Sequence, residues 1–347
     1  IKKTNETIKI WEGSKLTIEE AQKISGIKTV LWNENLNPIL EKLTTETSSI
    51  YLSTNEHPRA EVIVETKNIR FLNMLTKRFP KHAFLKSAPI MHQIRSVKEP
   101  EEIALIKRAC EITKLGLNRI LKFIKPGVFE YNLEAELIHE FINNKSRGFA
   151  YEPIIASGKN ACVLHYTQNN QKLKDGDVVL MDFGAEYVNY ASDLTRCVPV
   201  NGRFTKRQKD VYISVLRVMT EAKKLLVPGL LLSDYEGSVG KIMERELVNL
   251  GLLSMKDLKS FNKSPSYKKY YMHGTSHHLG LDVHDVSDPK KPLCPGMVLT
   301  CEPGIYIPEE GLGIRLENDI LVTKNEPEDL MGSILISPEE IEDALNS

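Results

Sequence analysis

The amino-acid sequence predicts an α+β protein with two domains. Its 347 residues are more than one ordinary hydrophobic core accommodates. Two segments, 178–198 and 297–322, have apolar, β-branched arms around a turn region and therefore predict β-hairpins. Long helical patterns of apolar residues precede two Pro-Gly pairs, at 126–127 and 228–229. Antiparallel hairpins together with helices are typical of the α+β class.

The N-terminal domain, predicted to span residues 1–94, mixes short apolar stretches with helical patterns. Residues 27–32 and 49–53 favour strands, and residues 66–79 favour a helix. No constellation of catalytic residues occurs in this part of the sequence. We therefore expect the chemistry to lie in the second domain.

The second domain, predicted to span residues 95–347, is expected to begin with a helix at Pro100. Proline suits the first helical turn, and the acidic residues that follow it favour a helix N-terminus. Another amphipathic helix is expected from about 206 to 227. Because both helices end at a Pro-Gly pair followed by a new helix, we predict an internally duplicated domain. Residues 254–271, rich in Lys and Ser, favour a solvated loop.

The composition is that of a globular protein with no bias towards nucleic acid. Hydrophobic residues make up 41% and charged residues 27% of the chain. The 46 basic residues balance the 46 acidic ones, so no net charge attracts nucleic acid or an anionic membrane. No apolar run approaches the roughly 20 residues of a membrane span, and no secretory signal is recognisable. We therefore expect neither a nucleic-acid nor a membrane partner.

The five cysteines are scattered, and no CxxC pair occurs. A disulfide framework or a zinc knuckle is therefore not expected. A reducing compartment suits this pattern, and we predict a cytoplasmic protein. The chain begins with Ile1 rather than methionine, so we expect that further residues precede it.

Two acidic residues stand on the arms of the first predicted hairpin. Asp182 directly follows an apolar run, where a carboxylate is costly to bury unless it is paired or bound to a metal. Asp193 lies on the returning arm. In a symmetric hairpin that turns between residues 187 and 188, the two aspartates would face each other with Cβ atoms about 5 Å apart.

The second predicted hairpin repeats this arrangement. Glu302 follows an apolar run, Glu317 lies on the returning arm, and the midpoint falls between residues 309 and 310. Like charges opposite one another destabilise a sheet, so two such pairs require compensating positive charge. Two divalent cations would balance four carboxylates. The alternative is that the acids point outward and form salt bridges.

A cluster of histidines lies in the segment HGTSHHLGLDVHD. It contains His273, His277, His278 and His284, and imidazole is a common metal ligand and proton carrier. His278 is the member most readily explained as structural. His165, taken alone, is better explained as a hydrogen-bonded core residue. The absence of HExxH, GxSxG and P-loop motifs argues against a zinc helix, a serine nucleophile and nucleotide chemistry.

Four segments occur in an order that resembles a known family. They are MDFGAEYVNYASDLTR, HGTSHHLGLDVHD, PGMVLTCEPGIYI and GIRLENDILVT. Together they resemble the pita-bread metallopeptidases of family M24, most closely the Xaa-Pro aminopeptidases, over about residues 95–347. The resemblance implies a curved antiparallel sheet with flanking helix pairs and pseudo-twofold halves. It also implies a smaller α/β creatinase-type N-terminal domain, incomplete in this chain.

The resemblance assigns a metal site. Two divalent ions, Mn²⁺ with Co²⁺ or Zn²⁺ as substitutes, would be held by Asp182, Asp193, His277, Glu302 and Glu317. Asp193 and Glu317 would bridge both ions, and a hydroxide bound between them would attack the peptide carbonyl. Glu302 would carry the proton to the departing nitrogen.

The resemblance also assigns residues that act on the substrate. His273 and His284 match histidines that assist catalysis, and His165, Tyr306 and Arg315 match residues beside the substrate. An arginine in this place could instead hold the ligand carboxylates. The implied activity is release of the N-terminal residue from peptides with proline at the second position, by a homodimer or homotetramer.

Rival functions share the same scaffold. A prolidase would cut only Xaa-Pro dipeptides, and a methionine aminopeptidase would remove an initiator methionine. A non-catalytic binding module would have lost its metal ligands, and a creatinase-type hydrolase lacks most of these carboxylates. The contexts CEPGIYI and HHLGLDVHD resemble the proline-specific branch, and we favour an Xaa-Pro aminopeptidase over a prolidase. Retention of all five ligand positions argues against the binding module.

Overall fold

The structure is a computed structural model, and it describes residues 1–46, 67–259 and 264–347. The chain divides into two compact units, of which the first comprises Ile1–Lys9 and Ser14–Ala88. The second comprises Ile10–Gly13 and Pro89–Ser347, so a short N-terminal segment belongs to the larger unit. The domain limits predicted from the sequence, 1–94 and 95–347, stay a prediction. Across the described ranges, no helix combines the length and apolarity of a membrane span.

The smaller unit is helical where it is described. Its helices are α1 (Glu6–Glu12), which runs on into the larger unit, α2 (Ile18–Ser25), α3 (Leu36–Glu46) and α4 (Lys67–Arg78). Helix α4 confirms the helix predicted at 66–79. The strand predicted at 27–32 is wrong, because Ile27 and Leu31 are exposed and no strand lies beside this segment in the described ranges. The strand predicted at 49–53 falls outside the described residues.

The larger unit holds every strand that the described ranges contain. Its helices are α5 (Ala88–Ser96, beginning at the boundary), α6 (Pro100–Phe123), α7 (Glu130–Asn143), α8 (Lys206–Lys223), α9 (Leu232–Asn249), α10 (Met255–Lys259) and α11 (Pro338–Asn346). Its strands are β1 (Gly148–Phe149), β2 (Ile154–Ser157), β3 (Val178–Phe183), β4 (Ala185–Tyr187), β5 (Tyr190–Ala191), β6 (Leu194–Pro199), β7 (Val298–Cys301), β8 (Gly304–Ile307), β9 (Leu312–Arg315), β10 (Asn318–Leu321) and β11 (Glu328–Asp329). Helix α6 begins at Pro100 as predicted.

Two helix pairs repeat the same arrangement. Helix α6 packs on α7, and α8 packs on α9. Each pair is joined through Pro-Gly, where the glycine takes a positive φ that favours this residue, 99° at Gly127 and 91° at Gly229. Gly127 donates from its amide to Leu173 O at 2.9 Å, and Gly229 donates to Leu293 O at 2.8 Å. This repetition supports the predicted duplication, although α8 ends earlier than residue 227.

Both predicted hairpins form, and they are antiparallel. The first unites β3 with β6 and β4 with β5, and the second unites β7 with β10 and β8 with β9. In the second hairpin, Cys301 pairs with Asn318 and Gly304 with Arg315, so the predicted turn around residues 309 and 310 is confirmed. Continued by one residue, this register places Glu302 opposite Glu317.

The register predicted for the first hairpin is wrong by two residues. Asp182 pairs with Thr195, not with Asp193, because the two-residue turn lies at Val188 and Asn189, which have positive φ values of 51° and 68°. Since side chains alternate with a period of two, a shift of two residues keeps both aspartates on the same face.

The segment predicted as a solvated loop at 254–271 contains short helices. Residues Met255–Lys259 form α10, and Ser266–Lys269 form a turn of 3₁₀-helix. Its last two tyrosines, Tyr270 and Tyr271, are buried, which explains why part of this polar stretch is ordered against the core.

A buried arginine links the two hairpins through hydrogen bonds. Arg196, on β6, is fully buried and donates to the backbone oxygens of Leu335, Thr195 and Glu317 at 2.8–2.9 Å. Its remaining nitrogen donates to Asn318 Oδ1 at 2.8 Å. With its hydrogen bonds made, the guanidinium can stay buried and hold the strand that follows Asp193 against the strand that follows Glu317.

Candidate metal centre

The five residues predicted as metal ligands converge on one place. Nε2 of His277 lies 3.5 Å from Oδ2 of Asp193 and 3.5 Å from Oε1 of Glu302. Asp193, His277 and Glu317 each present one ligand atom within 4.8 Å of the others. Asp182 is joined to Asp193 by a shared hydrogen-bond donor. The two acid pairs and the imidazole thus form a single cluster.

That shared donor, Tyr151, was not found from the sequence. Its hydroxyl lies 2.6 Å from Oδ1 of Asp182 and 2.5 Å from Oδ1 of Asp193. Tyr151 precedes β2, whose first residue Ile154 pairs with Asp182, so the sheet brings the phenol to the aspartates. A tyrosine near the start of a strand carries no distinctive pattern, and only the register could have revealed this contact.

The strands approach closely beside Asp193. A Cβ atom on Gly184 would lie 1.7 Å from the backbone oxygen of Ser192, so only glycine fits between β3 and β4. The interruption leaves the amide of Asp193 free of the ladder, and it donates to Asp319 Oδ2 at 3.0 Å. Asp193 is therefore held from the backbone as well as from its side chain.

The two hairpins meet at the acidic residues. Thr195, the strand partner of Asp182, donates from Oγ1 to Oε2 of Glu317 at 2.6 Å. In return, the amide of Glu317 donates to Thr195 O at 3.1 Å. Because the same residue contacts both hairpins, the relative position of the two acid pairs is fixed by direct hydrogen bonds.

The electrostatics of this cluster fit divalent cations. Burial raises the pKa of Asp182 and raises the pKa of Glu317 well above its usual value, with the neighbouring carboxylates adding to both shifts. Burial also raises the pKa of Glu302 to about 7, although His277 opposes the rise. Crowded, desolvated carboxylates repel each other unless positive charge lies between them. Four carboxylates and one imidazole are a donor set that suits two divalent metal ions.

Arg315 is hydrogen-bonded to one of the predicted ligands and to two residues beside the cluster. Its Nη2 donates to Oδ2 of Asp182 at 2.5 Å, its Nε donates to Thr195 Oγ1 at 3.1 Å, and its Nη1 donates to the hydroxyl oxygen of Tyr306 at 3.0 Å. Arg315 is 4% exposed and Tyr306 is fully buried. In this structure Arg315 therefore supports the carboxylate of Asp182, a predicted ligand, which is the alternative that the sequence left open.

His273 is engaged at both ring nitrogens. Its Nδ1 lies 2.7 Å from Gly274 O, which can only accept, so Nδ1 carries the hydrogen. Nε2 then accepts from the hydroxyl of Tyr306 at 2.8 Å. Burial, with help from Arg315, lowers the pKa of His273 to about 3 and keeps the ring neutral. A direct contact between His273 and a substrate would require one of these hydrogen bonds to break.

His277 is held by a backbone oxygen at Nδ1, as His273 is, but its Nε2 faces the acidic residues. Its Nδ1 lies 3.0 Å from His278 O, so Nδ1 carries a hydrogen and Nε2 faces the carboxylates. Its amide donates to Thr300 Oγ1 at 3.1 Å. Two residues before His277, the amide of Thr275 donates to Oε1 of Glu236, on α9, at 2.8 Å. The loop thus presents one imidazole nitrogen ready for a metal ion.

His278 turns away from the cluster. It is buried, its Nδ1 has no hydrogen-bond partner, and burial lowers its pKa to about 4. This environment agrees with the structural role expected for it.

Two exposed imidazoles lie beside the cluster. The ring of His284 is centred 4.1 Å from the ring of His277, and His165 lies near enough to affect the pKa of His284. His165 contacts Trp11 edge to face, with ring centroids 5.1 Å apart. The sequence did not predict Trp11, which reaches this place because its backbone oxygen accepts from His165 N at 3.0 Å.

Comparison with known proteins identifies the family of the chain. The chain matches the description "Metallopeptidase family M24" over residues 104–324 and "Aminopeptidase P, N-terminal domain" over residues 1–51. The Xaa-Pro aminopeptidase of Escherichia coli is 39% identical over 97% of this chain and 79% of its own length. That of Haemophilus influenzae is 35% identical, with coverage of 98% and 78%. Human Xaa-Pro aminopeptidase 3 is 33% identical, with coverage of 92% and 64%.

Solved structures give the same result. A variant of E. coli aminopeptidase P in complex with substrate has a TM-score of 0.76 and 36% identity over 99% of this chain and 81% of its own. Proline aminopeptidase P II from Yersinia pestis has a TM-score of 0.75 and 36% identity, covering 99% and 82%. Zinc-substituted E. coli aminopeptidase P in complex with product has a TM-score of 0.75, 36% identity and coverage of 99% and 81%. The likeness confirms the predicted fold of a small N-terminal domain followed by a pita-bread domain.

Proposed function

Because the chain belongs to metallopeptidase family M24, we propose that it is a metal-dependent aminopeptidase that releases the N-terminal residue from peptides with proline in the second position. The observation that carries the proposal is the convergence of four carboxylates and one imidazole, from two hairpins and a loop, at one buried place. Outward-pointing acids in surface salt bridges would not be desolvated in this way.

We propose that Asp182, Asp193, His277, Glu302 and Glu317 hold two divalent ions, with Asp193 and Glu317 shared between them. Mn²⁺ is the proposed metal, and Co²⁺ or Zn²⁺ are alternatives, because a carboxylate-rich set with a single imidazole suits ions of this kind. When bound, such ions lower the pKa of a water molecule and polarise a carbonyl group.

Glu302 is proposed to move the proton. Its carboxylate oxygen lies 3.5 Å from Nε2 of His277, at the edge of the proposed centre, where it can accept a proton and pass it on. We propose that it takes a proton from the attacking water and delivers it to the departing nitrogen. Any departing amide nitrogen must gain a proton to leave as an amine, and the nitrogen of proline starts with no hydrogen at all.

The remaining residues are proposed to orient the peptide. His165 and His284 are exposed beside the cluster and can donate or accept hydrogen bonds along a peptide backbone. Trp11, packed on His165, offers an apolar surface to the proline ring. We propose that His273 supports catalysis through Tyr306, whose hydroxyl donates to it, and that Arg315 opposes the burial-driven rise in the pKa of Asp182 and holds its carboxylate in place.

We further propose that the enzyme is cytoplasmic and acts as a homodimer or homotetramer. Five free cysteines suit a reducing compartment. The oligomeric state follows the resemblance to the family and is tested by light scattering of the purified protein.

The activity is tested with three peptides that differ at one feature: an Xaa-Pro-Xaa tripeptide, the corresponding Xaa-Pro dipeptide and an Xaa-Ala-Xaa tripeptide. We expect cleavage of the Xaa-Pro-Xaa peptide, loss of cleavage with a chelator, and recovery on addition of Mn²⁺. Cleavage of the dipeptide alone would identify a prolidase, which the relatives do not favour. A protein that neither binds Mn²⁺ nor cleaves any peptide would point to a non-catalytic binding module.

A further inference from the structure

Lys98 forms a buried ion pair with Asp285, the last residue of the loop 278–285. Nζ of Lys98 lies 3.1 Å from Oδ2 of Asp285, and each side chain is 1% exposed. Arg95, on α5, donates from Nη2 to the other oxygen of Asp285 at 2.5 Å. Because desolvation offsets much of the attraction in a buried pair, stability alone is a weak explanation for it. A role in positioning explains it better.

Asp285 connects this ion pair to the metal-facing imidazole. Its amide donates to His278 O at 2.8 Å. The same carbonyl oxygen accepts from Nδ1 of His277 at 3.0 Å. The two ends of the loop 278–285 are therefore tied to one oxygen, which also orients the ring of His277.

The backbone of the loop rests directly on the ion pair. A Cβ atom on Gly280 would lie 2.3 Å from Oδ2 of Asp285 and 2.8 Å from Cε of Lys98, so no other residue fits there without a shift. The carbonyl oxygen of Gly280 accepts from the amide of Ala191 at 2.8 Å. Ala191 ends β5 two residues before Asp193, so the loop is hydrogen-bonded to the chain segment that leads into a proposed ligand.

His284 depends on this anchorage for its position. It is exposed, and it directly precedes Asp285 in the chain. Its ring is inclined by 38° to the ring of His277, with centroids 4.1 Å apart. The position of this exposed imidazole depends on its backbone, and the backbone here is held by the carboxylate of the next residue, Asp285.

We propose that Lys98 and Arg95 are positioning residues, which act through Asp285 to fix the loop 278–285 and hold the imidazole of His284 beside the proposed metal centre. The inference deepens the proposed aminopeptidase function and rests on it. Lys98 and Arg95 are far from His284 in sequence and reach its loop through Asp285.

The test compares Lys98→Met with Lys107→Met in the full chain loaded with Mn²⁺. Lys107 pairs with Glu328 at 2.6 Å, but both side chains are 46% exposed, so this variant controls for loss of a lysine ion pair. We expect Lys98→Met to lower kcat on an Xaa-Pro-Xaa peptide by about 10–100-fold, as for supporting contacts around metal sites, while metal content stays unchanged. Lys107→Met should match the parent enzyme.

A double-mutant cycle with His284→Ala separates positioning from general destabilisation. If Lys98 acts through His284, adding Lys98→Met to His284→Ala should cause little further loss of kcat. Losses that multiply, or a Lys98→Met variant as active as Lys107→Met, would overturn the inference. If Lys98→Met does not fold, Arg95→Met replaces it in the cycle, because Arg95 is partly exposed and its loss leaves the buried pair of Lys98 and Asp285 intact. An inactive parent enzyme would instead overturn the proposed function.

Discussion

Nε2 of His277 lies 3.5 Å from a carboxylate oxygen of Glu302, and this closeness sets the charge state of the metal-free site. Burial lowers the pKa of His277, but hydrogen bonding and attraction from Asp193 and Glu302 outweigh it and raise the pKa to about 9. The imidazole therefore holds a proton at neutral pH when no metal is bound. Metal binding must displace that proton.

The first prediction concerns stability and pH. The pKa of His277 rises from 6.5 to about 9 on folding, so its stabilising contribution is fully present below pH 6.5 and is lost as the pH rises through 9. Between pH 7 and 9, we expect this imidazole to cost the metal-free protein about 2 kcal/mol of unfolding free energy. Urea unfolding of the metal-free protein across this range measures the loss.

Two comparisons isolate the contribution of His277. His277→Gln should remove this part of the pH dependence, and His139→Gln, at an exposed histidine on α7, should retain it. Addition of Mn²⁺ should also flatten the profile, because a bound ion replaces the proton. Equal slopes for the parent and the His277→Gln protein would contradict the account.

The second prediction concerns the phenol shared by two aspartates. Tyr151→Phe removes the hydroxyl that lies within 2.6 Å of both Asp182 and Asp193, so each carboxylate gains freedom. We expect the affinity for Mn²⁺ to fall about tenfold, as for other partners of metal ligands. Isothermal titration of the metal-free protein measures this. Tyr131→Phe, at an exposed tyrosine stacked on Phe129, serves as the matched control and should bind Mn²⁺ like the parent.

The third prediction concerns the aromatic surface beside His165. Trp11→Leu removes the edge-to-face contact and the apolar wall, and we expect KM for an Xaa-Pro-Xaa peptide to rise about fivefold, equivalent to about 1 kcal/mol. Metal content should not change, because Trp11 contacts none of the five proposed ligands. Trp11→Phe keeps an aromatic ring and should restore most of the affinity. If steady-state kinetics gave the same KM for the parent, Trp11→Leu and Trp11→Phe proteins, Trp11 would not contribute to substrate binding.

The sequence alone predicted which residues face each other where the geometry depends only on residues close together in the chain. Glu302 and Glu317 are equidistant from their turn, so counting along the chain placed them opposite each other correctly. The same count failed for Asp182 and Asp193, because the position of a two-residue turn depends on which residues accept positive φ. The cluster was still predicted, because alternation of side chains preserves the face when the register shifts by two.

The residues that the sequence missed act across long separations. Tyr151, Lys98 and Trp11 reach their partners only through the fold, and no local pattern distinguishes them from an ordinary tyrosine, lysine or tryptophan. The strand predicted at 27–32 failed for a related reason. An apolar stretch forms a strand only when another strand is available to pair with it, and pairing is a property of the folded chain.

The central claim is that two divalent ions, held by the acid cluster, make this chain a peptidase. It is tested most directly by titrating the metal-free protein with Mn²⁺ while measuring both bound metal and cleavage of an Xaa-Pro-Xaa peptide. We predict two ions per chain, activity that appears with their binding, and loss of both in Asp193→Asn but not in Asp288→Asn, an exposed aspartate. An Asp193→Asn protein with full metal content and full activity would contradict the claim.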